Sequence, residues 1–420
     1  GTPQRVEPPL LKQGDPVTAM KVYHTMGMPD YASAQAFSSY KAAFNAENAR
    51  KQKAIDAGDS KSPAFSQPWI YTFALRRSGY CTSGNGNPSY FDYYRMCENG
   101  YVWETTEYNF KDGPFTSFLC DAQRAMAEET GVRLGIYIKP HRGSGMITIQ
   151  RAMSAIARGI QNIHWYTYGP DWGKGDNFCN PPLLSDASKA ARIIGAGEDV
   201  TYDSAPAVPA EVAWVCSTPS ARWGWIMPWP EREWFTAAWE NSRWIYVGLQ
   251  HAHVAMDTID EVALENKDLS RYKVIYIFGP VLNREASKKV EQWVKNGGTL
   301  YTSCWGLKYD EAMRPNSILQ PVLGLENRKE VETWREVKFA WVKGPARLDD
   351  IRDMYTNPPA DKDVMVQGTG IFGTGFTPKV GREVLTPSAS TEVLAKFGDG
   401  KAAVTCAKYG QGKTYVVGIW

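Results

Sequence analysis

From about residue 211 to residue 303, short apolar runs alternate with amphipathic helical stretches, and this rhythm restricts that part of the chain to a parallel α/β sheet. Residues 211–216, 253–257 and 274–278 read as buried strands, with the aromatic-rich stretch 234–249 as a helix between the first two. The next helix carries its own punctuation. Asn283 can cap it, Glu285 suits the positive end, Val290, Trp293 and Val294 form an apolar stripe, and Asn296-Gly297-Gly298 stops it before a strand at 299–303. Further on, 393–398, 402–406 and 414–419, with the turn Tyr409-Gly410-Gln411-Gly412, read as a hairpin returning to this sheet. A doubly wound domain is therefore expected over 203–330 and 391–420. Between its parts, 331–390 breaks into short β-like runs at Pro358-Pro359, Gly368, Gly370, Gly373 and Gly375, the pattern of a β-rich insertion.

A second alternation lies upstream, with buried-strand patterns at 69–75, 101–103, 134–138 and 163–168 and helical segments near 91–98, 115–130 and 146–160. A longer helical stretch, 31–57, carries Phe37, Tyr40 and Phe44 on one face. This βα repetition predicts a partial or complete (β/α)8 barrel over 1–200. Four units are half of such a barrel and would leave two sheet edges unpaired, so further units are expected before Gly1 in a longer parent chain or within the first 30 residues. A proline pair, a short helix at 185–194 and Gly195-Ala196-Gly197 mark the boundary between the two alternations.

Composition narrows the partners. Lys and Arg (47) nearly balance Asp and Glu (45), so no global field favours nucleic acid. No run reaches the length and apolarity of a membrane span, and no membrane partner is expected. Seven cysteines are scattered without CxxC pairs or histidines at ligand spacing, so no metal or other cofactor is expected, and the odd number leaves at least one free thiol. Sixteen tryptophans and 22 tyrosines offer flat amphipathic rings, which suit sugar faces as well as cores and interfaces.

The run VAMDTIDEVALENKDLSRYKVIYIFGPVLNREASKKVEQWVKNGGTLYTSCWG (254–306) resembles the second, trimerisation domain of family 42 β-galactosidases. The likeness lies in an acidic strand end at Asp257, Leu269 and Tyr272 leading into a strand that ends Gly279-Pro280, then a helix, then Gly-Gly-Thr-Leu. FGDGKAAVTCAKYGQGKTYVVG (397–418) resembles the returning hairpin of that domain, a flavodoxin- or amidotransferase-like fold. More loosely, DYYRMCENGYVWETTEYNF (92–110), GVRLGIYIKPHRG (131–143) and ARGIQNIHWYTYGPDW (157–172) are similar to the sixth, seventh and eighth strand regions of the family's barrel. The resemblance implies a glycoside hydrolase acting on a galactose-containing poly- or oligosaccharide, assembled as a homo-oligomer through the second domain. A polysaccharide substrate would favour a secreted or periplasmic location.

Retaining glycosidases need two carboxyl groups about 5–5.5 Å apart at the carboxyl rim of the barrel. The family places one of them after strand seven, where this chain reads Ile136-Tyr137-Ile138-Lys139-Pro140-His141, without a carboxylate. A lysine there would oppose an oxocarbenium-like transition state. The carboxylates nearest a strand end are Glu104 and Glu107, expected as the catalytic candidates, with alternation turning one to the axis and the other to a helix. An ion pair of Glu107 with Arg76, Arg77 or Lys139 is the competing reading. Asp171 and Trp172, with Trp165 on the preceding strand, are expected to bind sugar. Arg76, Lys139, His141 and Arg142 gather on the same rim, which extends the expected substrates to sulfated or uronic-acid saccharides. The missing nucleophile keeps open an alternative, a non-catalytic carbohydrate-binding or assembly protein.

Ser303-Cys304-Trp305-Gly306 resembles the nucleophile elbow of glutamine amidotransferases, but all five histidines precede Cys304 and the expected downstream base is missing. Cys304 is therefore expected to be a buried small hydrophobe. Trp234 and Trp239 are expected in the core, and Trp223, Trp225 and Trp229, set among glycine and prolines, at an interface or a sugar.

Overall fold

The computed structural model describes residues 70–74, 101–105, 134–138, 145–165, 181–201, 209–226, 231–328, 331–333, 364–378 and 381–420, with scattered helical residues between 49 and 57 and between 117 and 129. These fall into two compact units, one up to Ala207 and one from Val208 onward.

The first unit contains four strands, β1 (Ile70–Ala74), β2 (Tyr101–Thr105), β3 (Leu134–Ile138) and β4 (Asn162–Trp165), all parallel and adjacent in chain order. Helix α1 (Gly145–Ile156) links β3 to β4. Its buried residues Thr148, Arg151, Ala152 and Ala155 recur at three-to-four spacing, which turns one face to the unit's interior. Helix α2 (Pro181–Gly195) packs on α1 and starts four residues before the expected 185, because prolines fit the first turn of a helix, where no amide donor is needed. A short α3 (Glu198–Thr201) follows. The expectation of a barrel is corrected to this extent: the described residues make a four-stranded parallel sheet and do not close on themselves. Of the helix expected over 31–57, the described residues Ala49, Arg50, Lys53 and Asp56 are helical, Ala57 forms a turn with its amide donating to the Lys53 carbonyl at 3.0 Å, and the rest lies outside the described residues.

The second unit runs β5 (Val212–Cys216), α4 (Thr218–Ile226), α5 (Glu231–His251), β6 (Met256–Asp260), α6 (Glu261–Asn266), β7 (Val274–Ile277), α7 (Arg284–Lys295) and β8 (Thr299–Ser303). Then come α8 (Gln320–Leu323), β9 (Leu325–Asn327), β10 (Val331–Thr333), β11 (Val366–Gly368), β12 (Gly381–Glu383), β13 (Thr386–Pro387), β14 (Glu392–Phe397), β15 (Ala402–Tyr409) and β16 (Gly412–Val417). Eight strands form one sheet in the order β11-β14-β15-β16-β8-β7-β5-β6. From β6 to β16 neighbouring strands are parallel, in the second-first-third-fourth-fifth order of flavodoxin-like sheets, and β15, β14 and β11 continue it antiparallel. The hairpin expected at the end of the chain thus supplies the fifth parallel strand. Part of the expected insertion is built into the sheet through β11, while β10 pairs with β12 and β9 with β13; residues 334–363 lie outside the described residues.

The strand expected at 253–257 is found three residues later. Helix α5 ends by its own backbone: the Val254 amide donates to the Leu249 carbonyl and the His253 amide to that of Gln250, with His253 at φ 57°. That C-cap uses up the apolar-looking 253–255 and starts the strand at Met256.

The two faces of the sheet bury different side chains. Ala213, Val215, Ile275, Ile277 and Leu300 meet Ala263 and Leu264 of α6 and Ala286, Val290, Trp293 and Val294 of α7. The alternate residues Trp214, Tyr276 and Tyr301, with Phe278, make an aromatic cluster on the opposite face. Helix α7 follows its sequence signals closely. Asn283 Oδ1 accepts from the Ala286 amide at 2.8 Å, and the Trp293 indole covers Gly298, where an added Cβ would lie 2.4 Å from the ring. Replacing Asn283 by alanine should cost about 1 kcal/mol of unfolding free energy in urea titrations, and Asn283→Ser should recover most of it.

Candidate functional site

In the first unit, register decides what stands together. Ala74, Thr105, Ile138 and Trp165, the last residues of β1 to β4, are partners across the sheet, so the chain leaves all four strands along one edge. Carboxyl edges of parallel strands are where such sheets assemble their sites. Glu104 lies one residue inside that edge, in a row with Phe73, Tyr137 and His164. Trp165 closes β4 and is half-buried. Arg76, Glu107, Lys139, His141, Arg142, Asp171 and Trp172 follow these strand ends in sequence and lie outside the described residues.

The second unit has its own carboxyl edge, with a switch point between β5 and β7 where the strand order reverses and open α/β sheets commonly bind ligands. Here it is filled. Ser217 Oγ donates to the Val281 carbonyl, and Ser220 Oγ donates to the same carbonyl at 2.9 Å while accepting from the Val281 amide at 2.9 Å. Gly279 permits this approach: a Cβ there would stand 2.6 Å from Ser220 Oγ and 2.7 Å from Ser217 Cβ. The residues that line a ligand crevice in other sheets of this order are spent here on joining two loops.

Beside it, β6 ends in two buried carboxyls. Asp260 Oδ1 caps α6 by accepting from the Ala263 amide at 3.0 Å, and Glu261 Oε2 accepts from the Thr218 amide at 3.0 Å. Burial, then the neighbouring Asp260 charge, push the Glu261 pKa up to about 8, against the pull of the Thr218 bond. Burial and the same two carboxyls raise the Cys216 thiol. Both carboxyls bind backbone in the interior, the arrangement of caps and loop ties. Asp257, expected at the strand end, is instead the second residue of β6 and is held by Arg271 and by the Tyr272 hydroxyl at 2.9 Å.

Cys304 is wholly buried, and burial, followed by the Glu383 charge, raises its thiol well above the ordinary value, the reverse of what a nucleophile requires. The Trp305 backbone after it is left-handed, φ 66°, and its amide donates to Glu383 Oε2 at 2.6 Å. An expected role is corrected at Trp223: it lies in α4, fully buried, with its indole donating to the Glu311 carbonyl at 2.9 Å, because the glycine beside it is taken into the helix rather than into a loop. The side chains of Trp225, Trp234 and Trp239, and all of Trp229, lie outside the described residues. Among the described residues, no group of three or more His, Cys, Asp or Glu could hold a metal ion, and no helix is long and apolar enough to cross a membrane.

Comparison with known proteins bears on this edge-filled, doubly wound unit. The family described as the β-galactosidase trimerisation domain matches residues 230–420. The resemblance read in 254–306 and 397–418 is thereby borne out. Among solved structures, the chain is similar to the β-galactosidase from Bacillus circulans sp. alkalophilus, with 16% identity, 79% of this chain and 48% of that one covered, and a TM-score of 0.59. A catalytic mutant of a GH42 β-galactosidase from G. stearothermophilus gives the same values, and the enzyme from Rahnella sp. R3 gives 15% identity, 80% and 50% coverage and 0.59. At these identities the likeness is one of fold, and the chain spans about half the length of the structures it matches. No curated protein matches it by sequence.

The raised Glu261 pKa sets a pH dependence for the second unit. Folding favours the neutral acid, so its contribution is complete below the ordinary value of 4.5, is lost as pH rises to about 8, and is constant above. Unfolding titrations between pH 5 and 8 should show a loss of roughly 1 kcal/mol per pH unit from this group. Glu261→Gln should remove that slope and be the more stable protein at pH 8.

Proposed function

We propose that this protein is a β-galactosidase-like glycoside hydrolase acting on a galactose-containing oligo- or polysaccharide, with sulfated and uronic-acid forms among its substrates. The observation that carries this reading is the trimerisation domain preceded by parallel strands in chain order whose carboxyl ends share one edge. In this reading Glu107 and Glu104 provide the carboxyl groups, one as proton donor and one as the charge that steadies the oxocarbenium-like transition state. Trp165 and Trp172 stack on sugar faces, and Asp171 accepts from sugar hydroxyls. Arg76, Lys139, His141 and Arg142 hold an anionic substituent. The protein assembles as a trimer through residues 230–420, the stretch that matches the trimerisation domain.

One observation favours a second reading. Lys139 follows β3 where the family resemblance calls for a nucleophilic carboxylate, as in a carbohydrate-binding protein that has lost its chemistry. The two separate on a panel of aryl β-galactosides and neutral and sulfated galactan oligosaccharides. The glycosidase reading expects the intact protein to release galactose or shorter saccharides, and Glu107→Gln to lower kcat about 100-fold or more with binding retained. Saturable binding without product on any member of the panel would establish the second reading. Light scattering on the purified protein should give three times the chain mass; a monomer at micromolar concentration would remove the assembly role.

A further inference from the structure

Beyond the end of β8 lies a cluster of charges that the glycosidase reading does not use. Glu383 is fully buried, and Arg328 grips it in a two-pronged pair, Nε to Oε1 at 3.0 Å and Nη2 to Oε2 at 2.8 Å. The Trp305 amide also binds Oε2, and Arg328 Nη1 donates to the Gly306 carbonyl at 2.6 Å. Lys308 brings a second cation to the same place. Among the described residues its ammonium makes no hydrogen bond or ion pair; it is faced by the rings of Trp305 and Tyr309, 5.8 and 5.7 Å from their centres. Burial lowers the Lys308 pKa, and Glu383 works against that shift.

Among the described residues no carboxylate pairs with Lys308, and an unpaired charge out of water is costly. Beside it is a cavity of about 270 Å³, walled by Leu307, Pro315, Leu323 and Leu325 and reached by Lys308 and Arg328. Glu326 stands at its rim, exposed and without an ion pair to either cation. Arg328 commits three of its five N–H donors, so two remain. The cavity thus offers the Lys308 ammonium, donors of Arg328 not used among the described residues, and an apolar wall, beyond the carboxyl end of a parallel strand.

We propose that this cavity binds an organic monocarboxylate, its carboxylate on Lys308 and the spare donors of Arg328 and its apolar body against the leucines and Pro315. The Lys308 ammonium and the spare donors of Arg328 suit a carboxylate, the rim carboxylate of Glu326 disfavours a second negative charge on the ligand, and the apolar wall selects an organic anion over an inorganic one.

The test titrates the intact protein with sodium butyrate at constant ionic strength, using calorimetry and thermal unfolding. Saturable binding is expected, weakened about tenfold or more in Lys308→Met and unchanged in Lys273→Met, which removes an exposed lysine paired with Glu211. Equal binding by Lys308→Met would overturn the proposal, as would phosphate binding as tightly as butyrate. A second measurement needs no variant: butyrate, but not butyramide, should slow acetylation of Lys308 by acetic anhydride as read by mass spectrometry. Equal rates with and without butyrate would overturn the proposal just as firmly. Neither outcome bears on galactoside hydrolysis.

Discussion

The buried carboxylate of Glu383 organises the carboxyl edge of the second sheet. It draws β12, the loop after β8 and the segment after β9 to one point, through the Trp305 amide and the Arg328 fork. A buried ion pair of this kind adds little net stability over an apolar replacement, but loss of one partner leaves a stranded charge, so the three segments are held as a set. The Trp305 backbone at this bond is left-handed, and its ring stands edge-on to Phe235 and Tyr309, at 5.1 and 5.8 Å. The Trp420 indole closes the arrangement on the Cys304 carbonyl at 3.0 Å. Among the described residues, Lys308 joins this point without an ion pair, faced by the rings of Trp305 and Tyr309.

The same edge explains why a sheet of flavodoxin-like order need not be a flavodoxin-like binding site. At the switch point, Ser217 and Ser220 are consumed by the Val281 backbone, and Gly279 lets the loops close without a gap. Asp260 and Glu261 are consumed by amides, and the Cys304 thiol is held protonated by burial. The two serines and the two carboxyls are turned inward to hold loops together. It is this inward-turned unit that the model of the β-galactosidase trimerisation domain matches, over residues 230–420.

Much of the fold was legible from local signals. The punctuation of α7, from Asn283 to Gly298, is found as read, because a cap, an apolar stripe and a glycine stop act within a few residues of one another. The strand at 253–257 was misplaced by three residues because the C-cap of α5 at His253 leaves no compositional mark, and polar Met256–Asp260 becomes a strand only once Arg271 and Tyr272 stand ready for Asp257. Trp223 misled for a similar reason: glycine beside tryptophan reads as a loop, and the Glu311 carbonyl that receives its indole lies far away in sequence. Of the candidate sugar site, Glu104 and Trp165 could be placed by sheet register, which no single strand's sequence contains.

By itself, the sequence determined the alternation of strands and helices and the likeness of residues 254–306 and 397–418 to a trimerisation domain, since periodicity and capping are properties of neighbouring residues. It also determined that residues 305–420 hold no histidine and that Lys139 follows β3. Only the tertiary structure decided that β16 enters the sheet parallel to β8, that the switch point is filled and that Arg328 meets Glu383 across 55 positions of chain. Those pairings depend on loop closure and on which charges lose water together, quantities set by the packed whole rather than by any local stretch.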